Sequence, residues 1–428
     1  MGAGSCAWAW EGDRVTLLAA PSRPSAVPRP ENSHSGTGSI RIRVAVNAIS
    51  ELTPKFGSQV YLRELLDELG RMEDIELCIL VRAKEREALE QNWRIRRLEV
   101  PVPATASYWQ VLVQPLIQWR LRRADVQVYH LPNTLPLFRK SVPTVVTIHD
   151  LADLRVRKYG HVRTLYRWLI NYLSAHLADA VITVSHNSKH DITKLLHVPE
   201  HKVAVIYNGV GQAFRPLDRA ACIERVRNRY VLSGHFLLCT GGWGGNKNLE
   251  RLLLAFAELR SSWPGLTLIL TGQSSRTIMR KMKKMAMALG LGADVVVTGH
   301  VTAAELCELY NACALVVYPS LYEGFGLPVL EAMACGAPVV AANTSCIPEI
   351  AGDSAVLVDP YDPGSIAEGV RRVLSDENLR AQLVARGFER ASHFTWRRTA
   401  VQTRDLYRAL CANRFAHTSV NSLHAQRV

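Results

Sequence analysis

The chain has 428 residues, of which 48% are hydrophobic and 21% charged, a composition typical of a globular protein rather than a disordered one. This length favours two domains of roughly 150 to 200 residues each, and no stretch approaches the roughly 20 apolar residues of a membrane span. Lysine and arginine outnumber acidic residues by 51 to 38, giving a net charge of +13. This excess indicates an anionic partner, but it does not distinguish nucleic acid, membrane phosphate and nucleotide diphosphate.

The first 38 residues differ in composition from the rest. Four of the ten residues from Pro21 to Pro30 are prolines, and small polar residues follow without hydrophobic periodicity. Such a composition predicts a disordered extension over residues 1–38.

From residue 39 onward, strand-like runs alternate with amphipathic helices, a pattern typical of parallel sheets with helical crossovers. In the first half we predict strands at residues 40–46, 75–81, 126–130, 142–149, 180–184 and 203–207, and helices at residues 60–69, 108–122, 164–177 and 189–196. These elements predict a doubly wound domain over residues 39–212.

The same pattern restarts after an aperiodic, turn-rich stretch at residues 208–217. Strands are predicted at residues 236–240, 266–270, 295–298, 314–318, 338–342 and 355–358, separated by helices of the kind seen at residues 249–260. We therefore predict a second doubly wound domain over residues 213–393, a helix over residues 394–411 and a disordered tail over residues 412–428. Because parallel sheets bind ligands beyond the carboxyl ends of their strands, the two domains are expected to enclose a cleft between them.

A glycine turn with two carboxylates follows the fourth regular strand of the second domain. Gly324 and Gly326 allow the backbone to approach a ligand, and the helix that opens at Leu327 offers free N–H groups to an anion. Glu323 lies in the turn and Glu331 lies eight residues further on, within the helix. Each glutamate alone could be an ordinary surface residue, but the pair can reach different parts of one extended ligand and suits sugar hydroxyls.

This segment, with Glu-Gly-Phe-Gly-Leu-Pro followed by Glu-Ala-Met-Ala-Cys-Gly-Ala-Pro-Val, resembles the retaining glycosyltransferases of family 4. That family has the GT-B fold, in which two Rossmann-like domains face each other across a cleft and C-terminal helices cross back onto the first domain. The resemblance implies that Glu323 faces the transferred sugar and that Glu331 binds the nucleotide ribose. It also implies that the backbone of Gly324, Phe325 and Gly326 holds the diphosphate.

Further donor contacts follow from the same resemblance. Lys247 corresponds to the diphosphate-binding lysine, and Gly299 and Val301 correspond to backbone near the nucleotide base. The family often places an arginine five or six positions before the lysine, but here Gly241 and Gly242 occupy those positions. Stabilisation of the diphosphate must therefore rely more on Lys247, on backbone amides or on a cation from elsewhere.

Two residues of the first domain are also candidates for the site. His149 ends a predicted strand and resembles the family histidine beside the transferred sugar, although such a histidine can also be purely structural. Gly57 corresponds to the family's glycine-rich loop between the first strand and the first helix, in which the usual paired glycines are absent here.

The resemblance implies replacement of a nucleotide diphosphate at an anomeric carbon with retained configuration. The segments Tyr129–Asn133 and Gly241–Trp243 look like those of bacterial enzymes that build cell-surface polysaccharides, often with mannose. The acceptor would be a glycan or a polyprenyl-linked sugar. No metal or other cofactor is expected, because GT-B enzymes do not generally need a metal and the chain has no Asp-x-Asp triplet. Nine scattered cysteines without a C-x-x-C pair favour reduced thiols and a cytoplasmic protein.

The acceptor is expected on the first domain, where basic and aromatic residues cluster. They are Arg155, Arg157, Lys158, Tyr159, Arg163, Tyr166, Arg167 and Trp168. The cluster predicts either a solvated helix face or a peripheral contact with the inner face of an anionic membrane. Nucleic acid is disfavoured as a partner, because no nucleic-acid-binding module accompanies the charge.

Alternatives to a transferase remain open on the sequence. The first is another GT-B enzyme, such as a sugar-nucleotide epimerase or a phosphorylase, and the second is a sugar-nucleotide-binding protein without turnover. A nicotinamide dehydrogenase is disfavoured, because the glycine loops lack G-x-G-x-x-G with a following acidic residue.

Overall fold

The computed structural model describes residues 41–49, 57–81, 95–99, 114–135, 140–156, 160–242, 245–272 and 275–425. The extension predicted over residues 1–38 lies outside them. The described residues form two parallel sheets, one of seven strands and one of six, with helices on both faces of each. The predicted architecture of two doubly wound domains is confirmed.

The first sheet has the strand order β3-β2-β1-β4-β5-β6-β7. Its strands are β1 (Ile42–Asn47), β2 (Ile75–Val81), β3 (Ile95–Glu99), β4 (Val128–Leu131), β5 (Thr144–Thr147), β6 (Ala180–Thr183) and β7 (Val203–Val205). Its helices are α1 (Gly57–Gly70), α2 (Gln114–Arg123), α3 (Ala152–Arg155), α4 (His161–Leu177) and α5 (His186–Leu196). Helix α1 packs on one face, and α2, α4 and α5 pack on the other. Burial from both faces explains why β1 and β2 are nearly continuous apolar runs.

The second sheet has the strand order β10-β9-β8-β11-β12-β13. Its strands are β8 (Phe236–Cys239), β9 (Thr267–Thr271), β10 (Val295–Gly299), β11 (Leu315–Tyr318), β12 (Val339–Ala342) and β13 (Val356–Val358). Its helices are α6 (Arg219–Tyr230), α7 (Leu249–Arg260), α8 (Arg276–Ala288), α9 (Ala303–Ala312), α10 (Leu327–Ala334), α11 (Ile347–Ala351), α12 (Pro363–Ser375) and α13 (Glu377–Ser392). The strand order reverses between β8 and β11, which is where parallel sheets bind ligands.

The last helix, α14 (Trp396–Ala425), returns to the first sheet as predicted. Trp396 and Tyr407 are buried in the core shared with α1, and the Tyr407 hydroxyl lies 2.6 Å from Nδ1 of His130 on β4. The helix continues to Ala425, so the tail predicted to be disordered from residue 412 is helical to that point. Extending an anchored helix adds one hydrogen bond per residue and needs no new nucleation step. The helix can therefore continue through a sequence without hydrophobic periodicity.

Two elements differ from the sequence prediction. Strand β3 was not predicted, because among the described strands it lies at the edge of the sheet beside β2, and an edge strand needs no apolar alternation. The helix predicted over residues 108–122 is described from Gln114 to Arg123, and residues 108–113 lie outside the described part of the chain. None of the helices in the described ranges has a stretch long and apolar enough to cross a membrane.

Candidate active site

The predicted donor turn joins β11 to α10. Gly326 precedes the helix with a φ of +88°, a conformation that favours glycine, and a Cβ atom there would lie 2.7 Å from Cδ1 of Ile347. Pro328 stands in the first turn of α10, where its missing N–H costs nothing. These residues place the first turn of α10 directly after the turn that carries Glu323.

Glu323 and Lys247 form an ion pair in the second domain. The Lys247 ammonium lies 2.7 Å from Oε1 of Glu323 and donates to the Tyr318 hydroxyl at 2.6 Å. Ser320 donates a further hydrogen bond to the same carboxylate oxygen at 2.5 Å. Lys247 follows β8 and Glu323 follows β11, so the neighbouring strands bring the two predicted residues together. Within the described chain, Oε2 of Glu323 accepts no hydrogen bond and remains available to a ligand.

Glu331 lies on α10, where a buried tyrosine orients its carboxylate. The Tyr310 hydroxyl donates to Oε2 of Glu331 at 3.1 Å and lies 3.3 Å from Oγ1 of Thr240. Desolvation raises the pKa of Glu331 to about 7, although the Tyr310 hydrogen bond and the charge of Lys247 oppose this rise. Near neutral pH this side chain is therefore only partly ionised, and hydrogen bonds from ligand hydroxyl groups can stabilise the ionised form.

His149 follows β5 and is held in one tautomer. Its Nε2 lies 3.2 Å from the Pro132 carbonyl, which can only accept, so Nε2 carries the proton and Nδ1 is an acceptor. Burial lowers the pKa of His149 to about 4, which keeps the ring neutral. The Tyr61 ring packs edge-on against it with ring centroids 4.8 Å apart. Gly57 is the first residue of α1, one turn before Tyr61, and residues 50–56 lie outside the described part of the chain.

The remaining predicted donor residues occupy two different environments. The Phe325 side chain is buried against Tyr207 and Phe394, so that only its backbone could face a ligand. Val301 packs partly buried against the core of the second domain. Gly299 ends β10 with a φ of +73°, and its carbonyl accepts the N–H of Gly272 at 2.8 Å.

The two domains meet at Gly324, which places His149 beside the donor turn. The Gly324 carbonyl accepts a hydrogen bond from Ser185 at 2.7 Å and from Ser188 at 3.3 Å. A Cβ atom on Gly324 would lie 2.8 Å from the His149 carbonyl and 2.8 Å from Oδ2 of Asp150. Only glycine therefore permits this approach of the domains.

Several residues at the junction were missed by the sequence reasoning. The buried Asp191 on α5 accepts from the Tyr322 hydroxyl at 2.6 Å and from Nε of Arg155 at 2.9 Å, and so links α3 to the residue before Glu323. Glu349 accepts from the backbone N–H groups at the start of α5 and from the Tyr207 hydroxyl. Apart from the Arg155 pair, these contacts join residues more than 130 positions apart, and they carry no local motif.

The arrangement suits a ligand with an anionic centre and sugar groups on either side. Lys247 and the start of α10 can hold the anion, while Glu323 and Glu331 can accept from hydroxyls on opposite sides of it. The described residues contain no group of three or more His, Cys, Asp or Glu side chains placed to hold a metal ion.

The comparisons with known proteins agree with this geometry. A model described as Glycosyltransferase Family 4 matches residues 57–213, and one described as Glycosyl transferases group 1 matches residues 226–390. The chain is 30% identical over 300 residues to the O-antigen chain mannosyltransferase B of Escherichia coli, covering 68% of this chain and 77% of that protein.

A second relative and a solved structure extend the likeness. The serotype-specific mannosyltransferase WbdA of Escherichia coli is 30% identical over 265 residues, covering 60% of this chain, which spans only 32% of WbdA. Anabaena Alr3699/HepE in complex with UDP-glucose matches with a TM-score of 0.69 at 19% identity, over 86% of this chain and 100% of that one, and shows the same fold. The chain belongs to glycosyltransferase family 4 and is a glycosyltransferase with the GT-B fold.

Proposed function

We propose that the protein is a retaining glycosyltransferase that transfers a hexose, with mannose favoured, from a nucleotide-diphosphate sugar. The proposed acceptor is a glycan or a lipid-linked sugar in the synthesis of a cell-surface polysaccharide or glycolipid. Support for mannose comes from two relatives that are named mannosyltransferases, one of them acting on O-antigen chains. Support for a nucleotide-sugar donor comes from the structure of HepE with UDP-glucose.

The observation that carries the proposal is the 2.7 Å pair of Lys247 and Glu323 in front of α10. A diphosphate at the start of α10 would compete for the Lys247 ammonium and free the carboxylate of Glu323 to face the transferred sugar. Lys247 and the helix N–H groups would then stabilise the negative charge of the departing diphosphate. We propose that Lys247 and the helix N–H groups, rather than a metal ion, stabilise the leaving group.

The reaction exchanges one bond at the anomeric carbon for another. The bond from this carbon to the phosphate oxygen breaks, and a bond to the acceptor oxygen forms on the same face. The acceptor proton passes to the departing diphosphate. His149, with Nδ1 as an acceptor, can receive a hydrogen bond from a hydroxyl of the transferred sugar.

We further propose that the protein works in the cytoplasm and touches the membrane through α4. The outer face of this helix exposes Val162 (85%), Leu165 (64%), Tyr166 and Leu169 beside Arg163, an arrangement that suits an interfacial helix. Of the residues predicted for this contact, Arg155 instead pairs with the buried Asp191. The Trp168 indole donates inward to the Leu195 carbonyl, and residues 157–159 lie outside the described part of the chain.

Vesicle binding tests the membrane contact. We expect co-sedimentation with vesicles that contain anionic phospholipid, and loss of binding in Val162→Ser combined with Leu165→Ser. The matched control is Leu254→Ser on α7, which replaces an exposed leucine of the second domain. Equal vesicle binding by the variant and the wild type would contradict this contact.

A donor screen tests the proposed function. Wild-type protein is mixed with GDP-mannose, UDP-glucose and other nucleotide sugars, and thermal stabilisation and release of the nucleoside diphosphate are measured. We expect GDP-mannose to give the largest response. No response to any donor would overturn the proposal. Release of an altered sugar nucleotide without an acceptor would indicate an epimerase, and stabilisation without any turnover would indicate a binding protein.

A further inference from the structure

Asp150 lies at the junction of the two domains, directly after His149. Its Oδ1 accepts the N–H of Ala152 at 2.8 Å, which forms the turn that begins α3. Its Oδ2 faces the donor turn, since a Cβ atom on Gly324 would lie 2.8 Å from it. The carboxylate therefore has one oxygen committed to the fold, while the other lies next to Gly324 in the donor turn.

No cation neutralises this carboxylate within the described chain, where no lysine or arginine lies within ion-pair distance of Asp150. Neighbouring aspartates differ: Asp153 accepts from Arg167 at 2.9 Å, and Asp191 accepts from Arg155. Desolvation raises the pKa of Asp150, the charge of Glu323 adds to this rise, and Lys247 opposes it. A desolvated carboxylate without a cation is costly unless a ligand supplies hydrogen-bond donors.

The turn that carries Asp150 is also held firmly in place. At its far end Arg155 binds the buried Asp191, which in turn accepts from Tyr322, the residue before Glu323. Asp150 and Glu323 are therefore attached to the same rigid contact between the domains. Such support keeps a binding group in its productive position.

The chemistry of the unpaired carboxylate selects its ligand. A carboxylate accepts hydrogen bonds from neutral hydroxyl groups, whereas it repels a phosphate. We propose that Asp150 binds hydroxyl groups of a sugar at the domain junction, from either the transferred sugar or the acceptor sugar. This proposal rests on the proposed glycosyltransferase reaction, and it adds a binding residue to it.

The substitution Asp150→Asn separates binding from a purely structural role. Asparagine keeps an Oδ1 that can accept the Ala152 N–H, so the turn and α3 remain, while the charge is removed. Asp153→Asn is the matched control, because it removes a carboxylate that lies three residues further on, in α3, and is paired with Arg167. The probes are GDP, GDP-mannose and the acceptor analogue octyl α-mannoside, or the corresponding pair of nucleotide and nucleotide sugar if the donor screen selects another.

Each result has a defined meaning. We expect Asp150→Asn to bind GDP as the wild type does. If the transferred sugar is the ligand, Kd for GDP-mannose rises about 10-fold or more; if the acceptor is the ligand, KM for the mannoside rises instead by a similar factor. Wild-type values in both arms, or an equal loss of GDP binding, would overturn the proposal. Failure of the proposed function itself would appear earlier, as a lack of response by the wild-type protein.

Discussion

The turns that follow β11 and β5 meet at Gly324, but their carboxylates differ. That of the first turn is paired with a lysine, and that of the second is not paired with any described cation. In the donor turn Glu323 is paired with Lys247, and Glu331 beyond it is held by Tyr310, all within the second domain. In the turn after β5, His149 is kept neutral and Asp150 has no cation among the described residues. The charges of the donor turn are thus paired within the protein, whereas the carboxylate of Asp150 has no such partner among the described residues.

The largest expected effect comes from Glu323→Gln. If the donor turn is assembled around this carboxylate, its loss should lower kcat for transfer by about 10² to 10³-fold. The measurement is the initial rate of glycoside formation, with Glu258→Gln on the surface of α7 as the control. Wild-type activity in Glu323→Gln would remove Glu323 from the reaction.

A smaller effect is expected for Lys247→Met, which tests whether this lysine is the main cation beside the donor turn. Loss of a charged hydrogen bond to phosphate should raise Kd for the nucleoside diphosphate by about 10- to 100-fold. Isothermal titration with GDP checks this value, and Lys281→Met on α8 is the control. An unchanged Kd would mean that another cation replaces the missing arginine.

The pH dependence of donor binding should show the state of Glu331. Its pKa of about 7 lies above the ordinary value of 4.5, so the folded protein favours the protonated form. The contribution of Glu331 to the free energy of unfolding is therefore fully present below about pH 4.5 and is lost as the pH rises through about 7. Ribose hydroxyls favour the ionised carboxylate, so Kd for the nucleotide should fall about 10-fold from about pH 6 to about pH 8. A slope that persists in Glu331→Gln would contradict this assignment.

The smallest expected effect concerns the link between the two turns. Tyr322→Phe removes the hydrogen bond to Asp191 and leaves the Arg155 pair in place. We expect the free energy of unfolding to fall by about 1 kcal/mol and kcat to fall severalfold, because the loop before Glu323 loses one of its attachments to the first domain. Denaturant unfolding and initial rates measure the two quantities, and Tyr361→Phe, at an exposed tyrosine, is the control. Wild-type values for both would show that the link does not position Glu323.

The same contrast explains what the sequence could predict. Local patterns sufficed for the two sheets, and Gly326 and Pro328 are dictated by backbone geometry at the start of α10, whereas Gly324 is required by the approach of the first domain. Strand β3 was not predicted because edge strands need no apolar alternation.

The contacts at the junction between the domains were not predicted for a different reason. The contact of Tyr322 with Asp191 spans 131 positions and depends on how the domains approach each other. That Asp150 has no cation among the described residues also becomes visible only from the three-dimensional positions of the lysines and arginines around it.

The most direct test of the account is the configuration of the product. The wild-type protein is incubated with GDP-α-mannose and octyl α-mannoside, and the new linkage is assigned by the one-bond carbon–hydrogen coupling of its anomeric centre in NMR spectra. The account predicts an α-linked disaccharide, formed with retention and lost in Glu323→Gln. A β-linked product would contradict it.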